Sequence, residues 1–253
     1  MSESALFNGL LLFWFFLAAV TFPALFLVIA PYGRHARQGW GPSIPDMAGW
    51  VAMEAPAPLV LAACFALGRG TRTATAWAFF LLWEAHYAHR AFIYPLGLRG
   101  SDRRMPVAVA GTAFIFNAVN GYLNGRYLFH FCGGYTAAWL ADTRFLAGLV
   151  LFAAGYLINR QADRTLRSLR QPGESGYKIP EGGFYRWISC PNYLGEIVEW
   201  AGWAIATWSL PGLAFALWVV ANLAPRAWAH HRWYQERFPD YPRQRKALLP
   251  GLW

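Results

Sequence analysis

Charge is what this sequence has least of. Asp, Glu, Lys and Arg make up 14% of its 253 residues, against roughly 25% in a soluble domain, which excludes an ordinary water-soluble fold. Cysteine is sparse too: Cys64, Cys132 and Cys190 show neither metal-ligand spacing nor a disulfide framework, and they read as core residues. The six histidines, His35, His86, His89, His130, His230 and His231, are too few and too scattered for the clustered sets of membrane di-iron enzymes. No metal is expected. Alternating strand patterns are missing, and no Gly-x-Gly-x-x-Gly follows one, which excludes a Rossmann domain. With no repeat, low-complexity tract or linker, the chain reads as one domain, 1–253.

Apolar residues fill the space that charge leaves. They form 57% of the chain, and aromatic residues 18%, a composition that belongs in a bilayer. From Leu10 to Pro31 there is no charge, a run long enough to cross hydrocarbon. Glu3 stands where a signal peptide carries its basic residues, so this run reads as an anchor. Further apolar segments cover Ala48–Leu67, Ala74–Pro95, Met105–Leu123, Phe145–Ile158, Tyr193–Leu210 and Leu213–Ala224. The expected fold is all-α, a polytopic membrane protein with seven transmembrane helices. The last two segments are joined only by Pro211-Gly212, and a tight hairpin that dips into the membrane is the alternative there.

Positive charge is retained on the cytoplasmic side of a membrane. With the N-terminus outside and the C-terminus cytoplasmic, 17 of the 22 Lys and Arg fall inside and 4 outside, with Arg90 within a span. The net charge of +9 therefore lines one membrane face, which suits membrane lipid headgroups and an anionic cofactor rather than nucleic acid. The protein is expected in a bacterial inner membrane, or in the endoplasmic reticulum if it is eukaryotic.

Ionisable groups inside a membrane are functional candidates. Glu54 stands in Trp50-Val-Ala-Met-Glu54-Ala-Pro-Ala-Pro, where Pro56 and Pro58 free backbone carbonyls and bend the helix. A cavity wall carrying one carboxylate is the expectation, and a Glu snorkelling to the interface is the competing reading. The third span holds Glu84-Ala-His86-Tyr87-Ala-His89-Arg90. On a regular helix, residues 86, 89 and 90 share a face and Tyr87 turns roughly 100° from His86. A polar network between helices accounts for Glu84 and Arg90.

The cytoplasmic block carries its own polar pairs. Arg164, Arg167 and Arg170 form a basic stripe on a helix continuing the fifth span, and Arg226, Arg232 and Arg237 follow the seventh. Asn159 and Asp163 are spaced i, i+4, as are Asn192 and Glu196 at the head of the sixth span. Arg226, His230 and Tyr234 repeat that spacing on the last helix, giving cation, imidazole and phenol along one face.

The order of these motifs, from Asn159 through Ile179-Pro-Glu-Gly-Gly-Phe-Tyr185 and Asn192-Tyr-Leu-Gly-Glu196-Ile-Val-Glu199-Trp200 to Arg226-Ala-Trp-Ala-His230-His231-Arg-Trp-Tyr234 and Tyr241-Pro-Arg-Gln-Arg-Lys-Ala-Leu-Leu-Pro250, resembles the steroid 5α-reductase family. The resemblance implies reduction, with NADPH, of the 4,5 double bond of a 3-oxo-4-ene steroid or sterol-like lipid. It implies a substrate-binding membrane half, 1–130, and an NADPH-binding half, 131–253. Glu54 and Tyr87 match the family's catalytic Glu and Tyr, while Asn159, Asp163, Arg170, Tyr177, Asn192, Arg226, His230 and Tyr234 match cofactor-contacting positions; Glu196 joins them by its spacing from Asn192. Asn120-Gly-Tyr-Leu-Asn-Gly125 looks like the family's Asn-Gly motif, with Gly121 and Gly125 equally suited to close helix packing. Two departures stand out: Met53 replaces the Gln that precedes the Glu in vertebrate members, and the loop Leu98–Arg104 lacks the family's Asn and distal Arg. Polyprenol and trans-enoyl-CoA reductases share the architecture. Isoprenylcysteine-type methyltransferases, which use S-adenosylmethionine, carry an Arg-His pair that Gly183-Phe-Tyr185…Ser189-Cys190-Pro191-Asn192-Tyr193 does not have.

Overall fold

A helix that is apolar on every side has no face to show to water, and α1 (Glu3–Leu27), with a mean hydropathy of 2.4, is the plainest case. The computed structural model describes residues 2–28, 33–35, 39–97, 104–169 and 176–253. Helix accounts for 76% of the described residues, as the all-α expectation requires. Among the described residues the one sheet is a pair of three-residue antiparallel strands, β1 (Ser43–Pro45) and β2 (Arg104–Pro106), with Ile44 opposite Met105.

The chain forms two compact units, Met1–Leu10 with Ala30–Leu146, and Leu11–Ile29 with Ala147–Trp253. In the first, α2 (Asp46–Glu54) and α3 (Pro56–Leu67) follow one another across Ala55. Next come α4 (Ala74–Tyr87), a π-helical stretch Ala88–Ile93 and a short α5 (Tyr94–Leu96). Then α6 (Val107–Arg126) runs into a second π-helical stretch, Tyr127–Phe131. Gly121 and Gly125 let α6 lie against α3, since a Cβ at either would meet Ala57 O or Cys64 Cβ at 2.7 Å. The packing reading of that Asn-Gly segment is therefore correct.

Contacts within this unit fix which helix ends are neighbours. Arg126 makes two 2.7 Å bonds to the Glu3 carboxylate, which brings the N-terminus to the end of α6. Gly70 N donates to Phe129 O at 2.9 Å and Thr73 Oγ1 to Tyr135 O at 2.8 Å. The β1–β2 pair joins the segment before α2 to the segment before α6. The stretch α2–α3, then α4, then α6 thus run in alternating directions.

The second unit holds most of α7 (Thr143–Ser168), then α8 (Pro191–Thr207) and α9 (Leu210–Arg237). Gly148 and Gly155 on α7 face Gly202 and Gly195 on α8, and a Cβ at any of the four would overlap opposing backbone, such as Glu199 N for Gly155. Missing side chains bring the two backbones together. The turn between α8 and α9 is not Pro211-Gly212, as the sequence suggested. It lies at Trp208, left-handed with φ 44°, and Ser209, whose side chain accepts from Gly212 N at 3.1 Å. Pro211 sits in the first turn of α9, where its missing N–H costs nothing. The short seventh segment is accordingly part of a 28-residue helix, about 42 Å long at 1.5 Å per residue.

Among the described residues, four helices are long and apolar enough to cross a membrane: Glu3–Leu27, Asp46–Leu67, Thr143–Ser168 and Leu210–Arg237. The other three expected segments are helical, but polar side chains dilute them: Glu84, His86, His89 and Arg90 after Ala74, Asn117, Asn120 and Asn124 on α6, and Glu196 and Glu199 on α8.

Candidate functional site

In the first unit the polar groups gather where helices are interrupted. Proline cannot bond the carbonyl four residues back, so the chain from α2 to α3 breaks beside Glu54, the last residue of α2. Asn117 on α6 fills the break: its Nδ2 donates to Met53 O at 2.7 Å and reaches Glu54 Oε2 at 3.5 Å. Arg90 Nε stands 3.6 Å from Glu54 Oε1, and its guanidinium lies 4.7 Å from the Trp50 ring and 5.0 Å from that of Tyr94. Glu54 is therefore a half-buried ion-pair partner rather than a carboxylate standing alone. Its side chain is 13% exposed.

The regular helix assumed through Glu84–Arg90 ends at Tyr87. From Ala88 the wider π-helical turn takes over, a feature found often at functional sites, and Arg90 belongs to it. Tyr87 is 2% exposed, its ring 5.1 Å from Trp83 and 4.9 Å from His86. Trp83 Nε1 in turn donates to Ala57 O at 3.3 Å, which seats this part of α4 on the start of α3. Among the described residues no group of three His, Cys, Asp or Glu is arranged to hold a metal ion.

The second unit assembles its polar groups at one end of the glycine-lined contact. Asn159 Nδ2 on α7 donates to Asn192 O on α8 at 2.9 Å, and Asn192 Nδ2 lies 3.4 Å from Asp163 Oδ1. The i, i+4 pair on α7 thus meets the head of α8, because Gly155 and Gly195 set the helix separation one turn away. On the other side of α8, Tyr193 OH accepts from Arg226 Nε at 3.1 Å, and its ring lies 5.4 Å from that of His230. Arg226, His230 and Tyr234 are all buried along one face of α9. Tyr177 packs on Trp233 at 4.9 Å and Tyr234 stacks on Tyr241 at 5.2 Å.

Asn159, Asp163, Asn192, Arg226 and His230 are thus brought together around the first turn of α8. Glu196 lies one turn further along α8, half-buried. Arg170 lies outside the described residues, as does most of the loop Leu98–Arg104. The sequence reading missed Tyr193, the residue that joins Arg226 to His230, although it adjoins Asn192. It also missed Asn117, whose signal was a third asparagine, after Asn120 and Asn124, on an otherwise apolar helix. As donors and acceptors, the set in the second unit comprises one buried cation, two amides, a carboxylate, an imidazole and phenols. That inventory suits a ligand bearing phosphates, ribose hydroxyls and a carboxamide.

Residues 103–253 match the family model described as 3-oxo-5-alpha-steroid 4-dehydrogenase. A steroid 5-alpha-reductase of Gossypium hirsutum is 42% identical over 256 residues, covering 100% of this chain and 99% of its own. The 3-oxo-5-alpha-steroid 4-dehydrogenase 1 of Bos taurus is 44% identical over 93% of each chain, and that of Homo sapiens 42% identical over 87% of this chain and 85% of its own. With the model matching more than half of the chain and relatives above 40% identity along nearly all of it, the chain belongs to the 3-oxo-5-alpha-steroid 4-dehydrogenase family.

Proposed function

We propose that this protein is an oxidoreductase that reduces the 4,5 double bond of 3-oxo-4-ene steroids to 5α-3-oxosteroids with NADPH. The observation that carries the reading is identity along the whole chain to enzymes named for that steroid reaction. The reduced nicotinamide of bound NADPH supplies a hydride equivalent to the β-carbon of the enone, and a proton added at the α-carbon completes the reduction. Negative charge then develops on the carbonyl oxygen, and a hydrogen-bond donor aimed there lowers the barrier. Tyr87 is that donor, its phenol buried in an aromatic setting that keeps water away. Glu54, held by Arg90 and Asn117, orients the substrate end of the site and tunes Tyr87. Arg226 carries charge for the phosphates, Asn159, Asp163, Asn192 and Glu196 bond ribose and carboxamide, and His230, Tyr234 and Tyr177 line the same ligand. Arg170 adds a second phosphate contact in this reading.

The same reading has seven spans, the N-terminus outside and the C-terminus in the cytoplasm. The neighbouring helix ends support it: Glu3 and Arg126 pair, and loop 68–73 meets loop 127–136, all on the face assigned to the outside. The lipid-soluble substrate enters from the membrane, and the dinucleotide from the cytosol.

The deciding experiment is purified protein in detergent with NADPH and progesterone or testosterone, scored by mass spectrometry. A gain of two hydrogens is expected, and an unchanged steroid with the cofactor intact rejects the reading. Topology is checked with reporters: Gly176 and a tag after Trp253 should report cytoplasm and Gly133 the opposite side. A reporter at Gly176 found outside removes the site from cytosolic NADPH.

A further inference from the structure

Beyond the residues matched by sequence, a second buried polar cluster lies behind α9. Ser189 Oγ is 2.6 Å from His231 Nδ1, 2.7 Å from Tyr241 OH and 3.1 Å from Lys246 O. Ser189, His231 and Tyr241 are 3%, 6% and 5% exposed. The proton positions follow from the outermost partner. Gln235 Nε2 is 3.0 Å from His231 Nε2, and an amide nitrogen only donates. His231 is therefore bare at Nε2, carries its proton on Nδ1 and donates to Ser189. Burial pushes the Tyr241 phenol up, so Tyr241 stays a hydroxyl and donates to Ser189 as well. Ser189 in turn donates its hydroxyl hydrogen bond to Lys246 O. Every member is satisfied, and such a network holds one arrangement.

Three stretches far apart in sequence meet in this network. Backbone bonds extend it: Ser189 N to Lys246 O at 2.8 Å, Cys190 N to Ala247 O at 3.2 Å and Lys246 N to Trp187 O at 2.9 Å. The carboxyl-terminal segment is thus paired, through a single parallel bridge between Ile188 and Lys246, with the residues that lead into α8. Arg245, 5% exposed, donates to Pro180 O at 2.9 Å and lies 5.2 Å from the Tyr241 ring, so the Ile179-Pro-Glu-Gly-Gly segment is fastened to the same clasp. One of its members touches a candidate cofactor residue directly, Tyr241 stacking on Tyr234 with an interplanar angle of 8°, and Ser189 acts through its neighbour Cys190, whose Sγ lies 3.8 Å from His230 Nδ1.

We infer that Ser189, His231 and Tyr241 are positioning residues for the dinucleotide site, acting through the stack of Tyr241 on Tyr234 and through the entry to α8 that carries Asn192. This inference rests on the cofactor reading above. The clasp does not touch the ligand; it fixes two of the walls that do. A site pre-set in this way loses affinity when its support loosens, because ordering must then be completed on binding.

The test compares two sets of variants in detergent, with the KM for NADPH, the KM for steroid and kcat measured separately. Ser189→Ala removes the centre of the clasp, and Tyr241→Phe keeps the stacked ring while removing one bond. The NADPH KM is expected to rise about tenfold in Ser189→Ala and about threefold in Tyr241→Phe, magnitudes of one or two lost hydrogen bonds. The steroid KM and the kcat at saturating NADPH should hold. Ser189→Thr, which restores the hydroxyl, should recover most of the affinity. If Ser189→Ala fails to accumulate, Tyr241→Phe alone decides. Asn192→Ala and Tyr234→Phe serve as references. Weak NADPH binding in the references with wild-type values in the clasp variants overturns the inference and leaves the cofactor reading standing. Wild-type NADPH binding in the references overturns both.

Discussion

The two units solve the same problem, keeping polar groups inside an apolar chain, by opposite means. In the first, helices are interrupted: α2 and α3 part at Ala55, and α4 and α6 both pass into π-helical turns. Each interruption supplies a place for a polar side chain, and Glu54, Arg90 and Asn117 occupy one of them. In the second, helices run long and unbroken, α7 for 26 residues and α9 for 28. On α7 and α9 the polar residues gather towards one end, and glycines hold α7 and α8 close enough for side chains to bridge them. A local irregularity creates the first site, and register between regular helices creates the second.

If that contrast is correct, widening the helix contact should do the most damage. Gly155→Leu places a side chain against Glu199 N and Gly195 O, where neither backbone can yield, so we expect no folded protein by size exclusion. Gly111→Leu, with nothing within 4 Å of its Cβ, should behave like wild type. A stable Gly155→Leu protein would show that the close approach of α7 and α8 is not required.

Replacement within the first unit should change chemistry without changing cofactor binding. Tyr87→Phe and Glu54→Gln are each expected to lower turnover at least about tenfold, the loss of a proton-donating or charge-tuning group, while the NADPH dissociation constant is unchanged. Wild-type turnover in both would remove them from the reaction.

The converse is expected of Arg226, buried on α9. Arg226→Ala should weaken NADPH by about 1–3 kcal/mol, the range for a charge-assisted hydrogen bond, with turnover at saturation retained. Titration of NADPH by fluorescence decides this, and an unaltered constant would return Arg226 to a packing role beside Tyr193.

The smallest effect should come from a charge pair at the start of α7. Arg144 donates to the Asp142 carboxylate at 2.9 Å and holds its pKa down to about 2. A carboxylate with a depressed pKa stabilises the fold above its ordinary range, near 4, and that contribution fades as pH falls towards 2. The pair is exposed to solvent, so Asp142→Asn should leave the melting temperature at pH 7 nearly unchanged. A large drop would mark the turn before α7 as more important than its exposure suggests.

Sequence alone determined the helical class, because uncharged runs of this length have no other way to satisfy their backbone in lipid. It also determined which residue types were costly enough to need a reason, and so it pointed to Glu54, whereas Tyr87, Arg226 and His230 were marked by resemblance to the family. Spacing within one helix was legible for the same reason: Asn159 with Asp163, and Arg226 with His230 and Tyr234, depend only on the helical period. Tertiary structure decided everything that crosses between helices. The partners of Glu54 come from α6 and from a π-helical turn that no periodicity announces. The turn before α9 fell at Trp208 rather than at Pro211-Gly212, because a capped serine and a left-handed residue ended α8 first. Tyr193 and the Ser189–His231–Tyr241 clasp were invisible, since their bonds join residues 33 to 57 positions apart. Such bonds exist only once packing has chosen which faces meet, and a linear pattern contains no record of that choice.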